Sequence, residues 1–179
     1  MDPAAVARQS VTEYLGESTD RDAAPAAAAR QQAAGLLVHR LFESAHADTL
    51  LDDALATHAH ELLEAEERSV LDDAGATVRT AIAAWRALKA RPEVTALLGS
   101  GRREHEVAFS LRIENEGVPV LLRGRIDCLV HRPDGSIAVV EFKAGRPRGI
   151  HRRQLDVYVA AVRHLFPGAE VEGHLLYAD

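Results

Sequence analysis

The apolar residues of this 179-residue chain change their spacing once, at Gly99-Ser100-Gly101. Before this break they recur every three or four positions, as Val78, Ile82, Trp85 and Leu88 do, which is the spacing of one helix face. After the break they alternate with polar residues, which is typical of strands. The order of predicted elements is helices followed by β-β-β-α-β. We therefore predict an α/β fold with an N-terminal helical part.

Segments that favour linkers, turns and helix ends set the predicted boundaries. Residues 16–29 are small, polar and Pro-containing, and we interpret residues 1–26 as a disordered or linker lead-in. Residues 27–179 are predicted to form a single domain, with the helical part at 27–98 and the αβ core at 102–179. Within the helical part, we expect long helices over 48–68 and 70–90. The core is expected to hold strands over 106–113, 118–130, 136–143 and 171–177, and a helix over 151–166.

The charges are distributed unevenly. The net charge is −6, which argues at first against a nucleic-acid partner, but residues 102–163 carry 12 Lys and Arg against 8 Asp and Glu. A basic segment in an acidic chain indicates an interaction surface, such as one for DNA.

The single cysteine, Cys128, excludes a disulfide within this sequence and any iron–sulfur cluster held by four cysteines. The sequence shows no secretory signal and no apolar run that could span a membrane. We accordingly expect no membrane partner and a bacterial cytoplasmic location.

The segment between Arg123 and Lys143 carries the strongest chemical signal. If Pro133-Asp134-Gly135 is a three-residue hairpin loop, paired residues sum to 268 and Asp127 lies opposite Glu141. Lys143, two residues beyond Glu141, then projects to the same face. Two facing carboxylates repel each other unless a cation lies between them, and Mg²⁺ prefers such oxygen ligands. A surface salt bridge of Lys143 on an ordinary hairpin is the alternative interpretation, and these residues alone favour neither.

The pattern D-x(13)-E-x-K, on a hairpin followed by a helix, resembles the PD-(D/E)xK nuclease superfamily. The resemblance implies a small mixed sheet flanked by helices, with a restriction-endonuclease-like αβββαβ core. Two further elements are similar to the nuclease domains of bacterial helicase–nucleases of the RecB and AddA kind. These are G-x-x-x-H, ending at His39, and Q-x-x-x-Y, formed by Gln154 and Tyr158. The chain departs from that pattern at Ala144, where the family often has threonine.

The resemblance implies a role for each matching residue. Asp127, Glu141 and Lys143 would be catalytic. One or two Mg²⁺ or Mn²⁺ ions would be bound by His39, Asp127, Glu141 and the backbone carbonyl of Phe142. Glu106 resembles the acidic residue often found on the first core strand. Residues that would contact DNA or support the site are Gln154, Tyr158, Arg148 and Arg152.

The implied function is hydrolysis of phosphodiester bonds, in single-stranded DNA, during double-strand-break repair. The expected partners are DNA and the helicase motor domain or partner subunit of a helicase–nuclease, since no phosphate-binding loop of a motor is present in this sequence. The alternative is a catalytically weak module of the same fold that binds DNA or docks a subunit.

Overall fold

The computed structural model describes residues 7–16, 25–115, 117–144 and 146–178. The chain divides into two compact units. The first, here called the sheet unit, comprises Met1–Ser18, Leu98–Glu141 and Pro147–Leu175. The second, the helical unit, comprises Thr19–Leu97, Phe142–Arg146 and Leu176–Asp179.

The helical unit is built around α2 and α5, which pack against each other. Its helices are α2 (Pro25–Glu43), α3 (Asp52–Glu61), α4 (Ala65–Val70), α5 (Ala74–Lys89) and α6 (Pro92–Gly99), with a 3-10 turn at Ala47–Thr49. The packing stripe on α5 contains Val78, Trp85 and Leu88, all buried, as the helical spacing predicts.

The single helix expected over 48–68 is wrong, because the structure has a 3-10 turn and two short helices there. A capping box explains the second break. The Glu64 side chain accepts from the backbone of Glu67, and the Glu67 side chain accepts from the Glu64 N–H at 2.8 Å. These bonds satisfy backbone donors that would otherwise be orphaned at a helix start, so α4 begins anew after Glu64.

The sheet unit contains a five-stranded mixed sheet, which confirms the predicted fold class. Its elements are β1 (Ala7–Ser10), α1 (Val11–Leu15), β2 (Arg102–Asn115), β3 (Val118–His131), β4 (Ile137–Ala144), α7 (Gly149–Leu165) and β5 (Val171–Ala178). β2 and β4 are antiparallel to β3, whereas β1 is parallel to it. The parallel pairing of β1 therefore makes the sheet mixed.

β3 is the central strand of the sheet, and its two edges are used differently. β2 pairs along its whole length. On the other edge, β1 pairs with Val120–Arg123 and β4 pairs with Cys128–His131. The segment 124–127 lies between these two ladders, so Asp127 occupies a fork where β1 and β4 diverge.

The two elements before residue 17 fall within the range predicted as a lead-in. β1 hydrogen-bonds to β3, and Ser10 at its end caps α1 by accepting from the Glu13 N–H at 3.1 Å. Val11 is buried in the core of the sheet unit. This segment is ordered because β1 pairs with residues more than 100 positions away in the sequence. The local composition gives no signal of that pairing. Residues 1–6 and 17–24 of the predicted lead-in lie outside the described residues.

The core of the sheet unit lies between the sheet and α7. Leu155, Tyr158 and Val162 of α7 pack in one cluster with Phe109 and Ile126. Among the described residues, no helix has the length and apolarity needed to cross a bilayer.

Candidate metal centre

The hairpin between β3 and β4 has the predicted register. Gly135 adopts φ 85°, its N–H donates to the Arg132 carbonyl at 3.0 Å, and the Arg132 N–H donates to the Ser136 carbonyl at 3.0 Å. The pairs run from His131 with Ile137 to Cys128 with Val140, and each sums to 268. Asp127 and Glu141 are therefore the next residue on each strand beyond the last pair.

Glu141 and Lys143 share one face of β4 because they are two residues apart on a strand. Glu141 is 2% exposed, although it carries a carboxylate. Burial of a charged group is costly unless it is paired or ligates a metal, so a buried acid at a strand end favours a functional role. Lys143 is only half-buried.

A second carboxylate lies beside Asp127 within the sheet unit. Oxygen atoms of Glu106 and Asp127 approach within 4.8 Å of each other, and a hard divalent cation is held by such oxygens. Glu106 has a φ of 53°. Among the non-glycine residues in the described ranges, it is the one with a positive φ. Arg125 donates from Nη1 to Glu106 Oε2 at 3.2 Å and balances part of the negative charge.

The family resemblance matches Glu106 to an acidic residue of the first core strand. It does not include Glu106 among the predicted metal ligands. The strand pattern of 106–113 gives no signal for its left-handed backbone. The sequence shows only that residue 106 is acidic. The proximity of Glu106 to Asp127 depends on the register of β2 against β3.

His39 and Phe142, both in the helical unit, contact each other. His39 Nε2 lies 3.1 Å from the Phe142 carbonyl oxygen. Nε2 donates to this oxygen when it carries the ring proton, whereas with the proton on Nδ1 it is available as a metal ligand. The Phe142 ring stacks on Phe42 of α2 at 4.3 Å between centroids, which holds residue 142 against α2 within the helical unit. Thus the two predicted ligands of the helical unit, an imidazole nitrogen and a backbone oxygen, are neighbours.

Gln154 and Tyr158 form the predicted pair on α7. Gln154 Nε2 donates to Tyr158 Oη at 2.8 Å. Tyr158 is 4% exposed, and its ring packs edge-on against Phe109 of β2 at 5.5 Å. The pair therefore links α7 to the strand that carries Glu106, and its polar end is anchored by the amide.

The two predicted DNA-contacting arginines lie at the start of α7. Arg148 is the N-cap residue and is exposed. Arg152 is exposed and lies 3.6 Å from Asp156 on the next turn, measured from Nε to Oδ1. A surface pair of this kind contributes little stability, so Arg152 can exchange its partner for a phosphate at small cost.

Cys128 is adjacent to Asp127 in sequence but is not in the group of possible metal ligands that contains Asp127. Burial raises the pKa of the Cys128 thiol to about 12, with Arg103 opposing this shift and Asp127 adding to it. The group is therefore a neutral thiol at neutral pH, whereas metal ligation requires a thiolate.

The family model described as the PD-(D/E)XK nuclease superfamily matches residues 11–179. Seventeen chains of solved structures match. One, titled "Crystal structure of SSO0001", is 19% identical, with 93% of this chain and 67% of that chain covered and a TM-score of 0.39. The comparison with curated proteins found no match.

Proposed function

The chain belongs to the PD-(D/E)XK nuclease superfamily, and we propose that it is a Mg²⁺-dependent deoxyribonuclease acting on single-stranded DNA. One observation carries the proposal. Asp127 and Glu141 are the next residues on β3 and β4 beyond the last pair of their ladder, and an oxygen of Glu106 lies within 4.8 Å of one of Asp127.

The donor set fits a hard divalent cation. Asp127, Glu141 and Glu106 offer carboxylate oxygens, which Mg²⁺ and Mn²⁺ accept readily. Within the helical unit, His39 and the Phe142 carbonyl are the further ligands that the family resemblance implies, for one or two ions. A bound ion would supply charge neutralisation at a phosphodiester and a lowered pKa for a water molecule.

The remaining residues position the substrate and stabilise charge. Lys143, on the same face of β4 as Glu141, places an ammonium group where it can orient the attacking water or stabilise the negative charge that develops on phosphorus-bound oxygens. Gln154 and Tyr158 support the strand that carries Glu106. Arg148 and Arg152 are positioned at the open start of α7, where they can contact DNA phosphates.

We further propose that the domain works within a RecB- or AddA-like helicase–nuclease that processes double-strand breaks. The support is the pair of motifs outside the acid–lysine set, one ending at His39 and one spanning Gln154 to Tyr158. A motor domain or partner subunit would then deliver the single strand.

The test is cleavage of end-labelled single-stranded DNA by the purified chain in Mg²⁺, in Mn²⁺ and in chelator. We expect metal-dependent cleavage that falls by about two to three orders of magnitude in Asp127→Ala and in Lys143→Ala, the scale for loss of an active-site electrostatic group. Cleavage that survives both changes would overturn the proposal. Tight DNA binding by the wild type without cleavage would favour the binding or docking module instead.

A further inference from the structure

The β2–β3 ribbon has one buried and one exposed face between residues 107 and 125. Phe109, Val120 and Leu122 are buried on the first face. On the second, Ala108, Ser110, Arg112, Arg123 and Arg125 are all exposed. This alternation is the usual result of packing one side of an antiparallel pair on a core.

The exposed face carries four arginines in ordered rows across three strands. Arg125 pairs with Ala108, and Arg123 pairs with Ser110. In the third row, Leu121 pairs with Arg112 on one side and with Arg8 of β1 on the other. Successive rows on one face are about 7 Å apart, so the arginines extend over about 14 Å.

This face is continuous with the carboxylates. Arg125, in the first row, donates to Glu106 at 3.2 Å, and Glu106 adjoins Asp127. No acidic residue occupies the three rows from Arg125 to Arg112, since their other members are Ala108, Ser110, Leu121 and Ser10. Within the described part of the chain, neither Arg112 nor Arg123 forms an ion pair with an acidic residue. Uniform positive charge on an otherwise small and hydroxylated face is complementary to a phosphate backbone.

We propose that Arg125, Arg123, Arg112 and Arg8 form a phosphate-binding track that leads a nucleic-acid strand along the ribbon to the carboxylates. The proposal rests on the proposed function and deepens it by assigning the surface that holds the strand beyond the cleavage point. The contacts are to phosphates, so the track is independent of base sequence. It is separate from Arg148 and Arg152, which lie on α7.

The experiment measures binding separately from cleavage. Fluorescence anisotropy in chelator follows binding of labelled oligothymidylates of about 5 and 20 nucleotides to the intact chain over a series of KCl concentrations. The variant is Arg112→Ala/Arg123→Ala. The control, Arg79→Ala/Arg86→Ala, removes the same charge from exposed positions on α5 of the helical unit.

We expect the slope of log affinity against log salt to fall by about 1.4 in the variant, because each phosphate contact on a single strand contributes about 0.7. Affinity for the longer oligonucleotide should fall about tenfold at low salt, whereas that for the shorter one changes by less than about twofold. The control should match the wild type. An unchanged slope in the variant, an equal fall in the control, or no binding of the longer oligonucleotide by the wild type would each overturn the track.

The two proposals fail in different ways. If the variant keeps the full salt dependence of binding while the wild type cleaves DNA in Mg²⁺, the track proposal is wrong and the nuclease proposal stands. If the variant shows the reduced salt dependence of binding but the wild type does not cleave DNA, the track proposal is supported and the proposed catalytic function is wrong.

Discussion

Glu106 and Asp127 occupy the one interruption in the β2–β3 ladder, and their carboxylate oxygens lie within 4.8 Å of each other. The pairs on either side, His105 with Cys128 and Val107 with Ile126, keep the same register. The interruption coincides with the left-handed backbone of Glu106. Strained backbone at a position rich in acidic groups is a common property of functional sites, because selection for the site tolerates the strain.

The strain at Glu106 can be tested by comparing Glu106→Gly with Glu106→Ala. A side chain with a Cβ atom costs about 1–2 kcal/mol in the left-handed region, whereas glycine adopts it freely. We expect the glycine variant to be more stable than the alanine variant by about 1 kcal/mol in urea unfolding, and both to bind Mn²⁺ more weakly than the wild type. Elsewhere in a strand the order reverses, since glycine is the poorer strand residue; a more stable alanine variant would therefore contradict the strained conformation.

The roles of Asp127 and Lys143 differ in what their loss should do to metal binding. Asp127→Asn should weaken Mn²⁺ binding, followed by calorimetry, by at least about tenfold, because it removes a charged ligand. Lys143→Gln should leave Mn²⁺ affinity at or above the wild-type value, since it removes a nearby positive charge, while cleavage is lost. Lys89→Gln, at an exposed pair with Asp48 in the helical unit, is the matched control and should retain both properties. Weaker Mn²⁺ binding in Lys143→Gln would indicate a structural role for the lysine.

Gly124 permits the close approach of Phe109 to β3. A Cβ atom at this position would lie 2.5 Å from Phe109 Cε1, and the ring is held in place by Tyr158. We expect Gly124→Ala to lower the free energy of unfolding by about 1–3 kcal/mol, which is typical of overpacking a core. Gly99→Ala, where an added Cβ meets nothing within 4 Å, is the control and should change stability by much less. Equal unfolding midpoints for the two variants would show that the Phe109 ring can move aside.

The ion pair of Arg40 with Glu67 makes stability depend on pH. Arg40 Nη1 donates to Glu67 Oε2 at 2.6 Å, and this hydrogen bond lowers the pKa of the Glu67 carboxyl below its ordinary value of 4.5. The stabilisation is therefore present above pH 4.5 and is lost as the pH falls through the lower folded-state pKa.

We expect Arg40→Gln to be less stable than the wild type by about 1 kcal/mol at pH 7, with the difference shrinking below pH 4.5. Part of it should remain at low pH, because Arg40 also donates to the Leu62 carbonyl at 2.9 Å. Arg79→Gln, whose contact with Asp73 is longer at 3.9 Å, should show little effect at either pH. A difference between Arg40→Gln and the wild type that is constant with pH would exclude the Glu67 pair as its source.

The local signals in the sequence predicted the hairpin well. Pro133-Asp134-Gly135 specifies a three-residue loop because glycine takes the left-handed position without cost, and the loop fixes the register of both flanking strands. The spacing of Gln154 and Tyr158 predicted their contact, because residues four apart face each other on a helix. By contrast, the break after Leu63 was missed, since a glutamate as N-cap residue is an uncommon signal.

The sequence by itself determined the order of elements from Arg102 onward, the α/β class and the register that brings Asp127 and Glu141 to the end of one ladder, because turn geometry and side-chain period are local properties. Only the tertiary structure decided that β1 pairs in parallel with β3, that Glu106 lies beside Asp127, and that four arginines share one exposed face. These relations join residues far apart in the chain, and strand pairing and core packing, rather than local preference, set which of them meet.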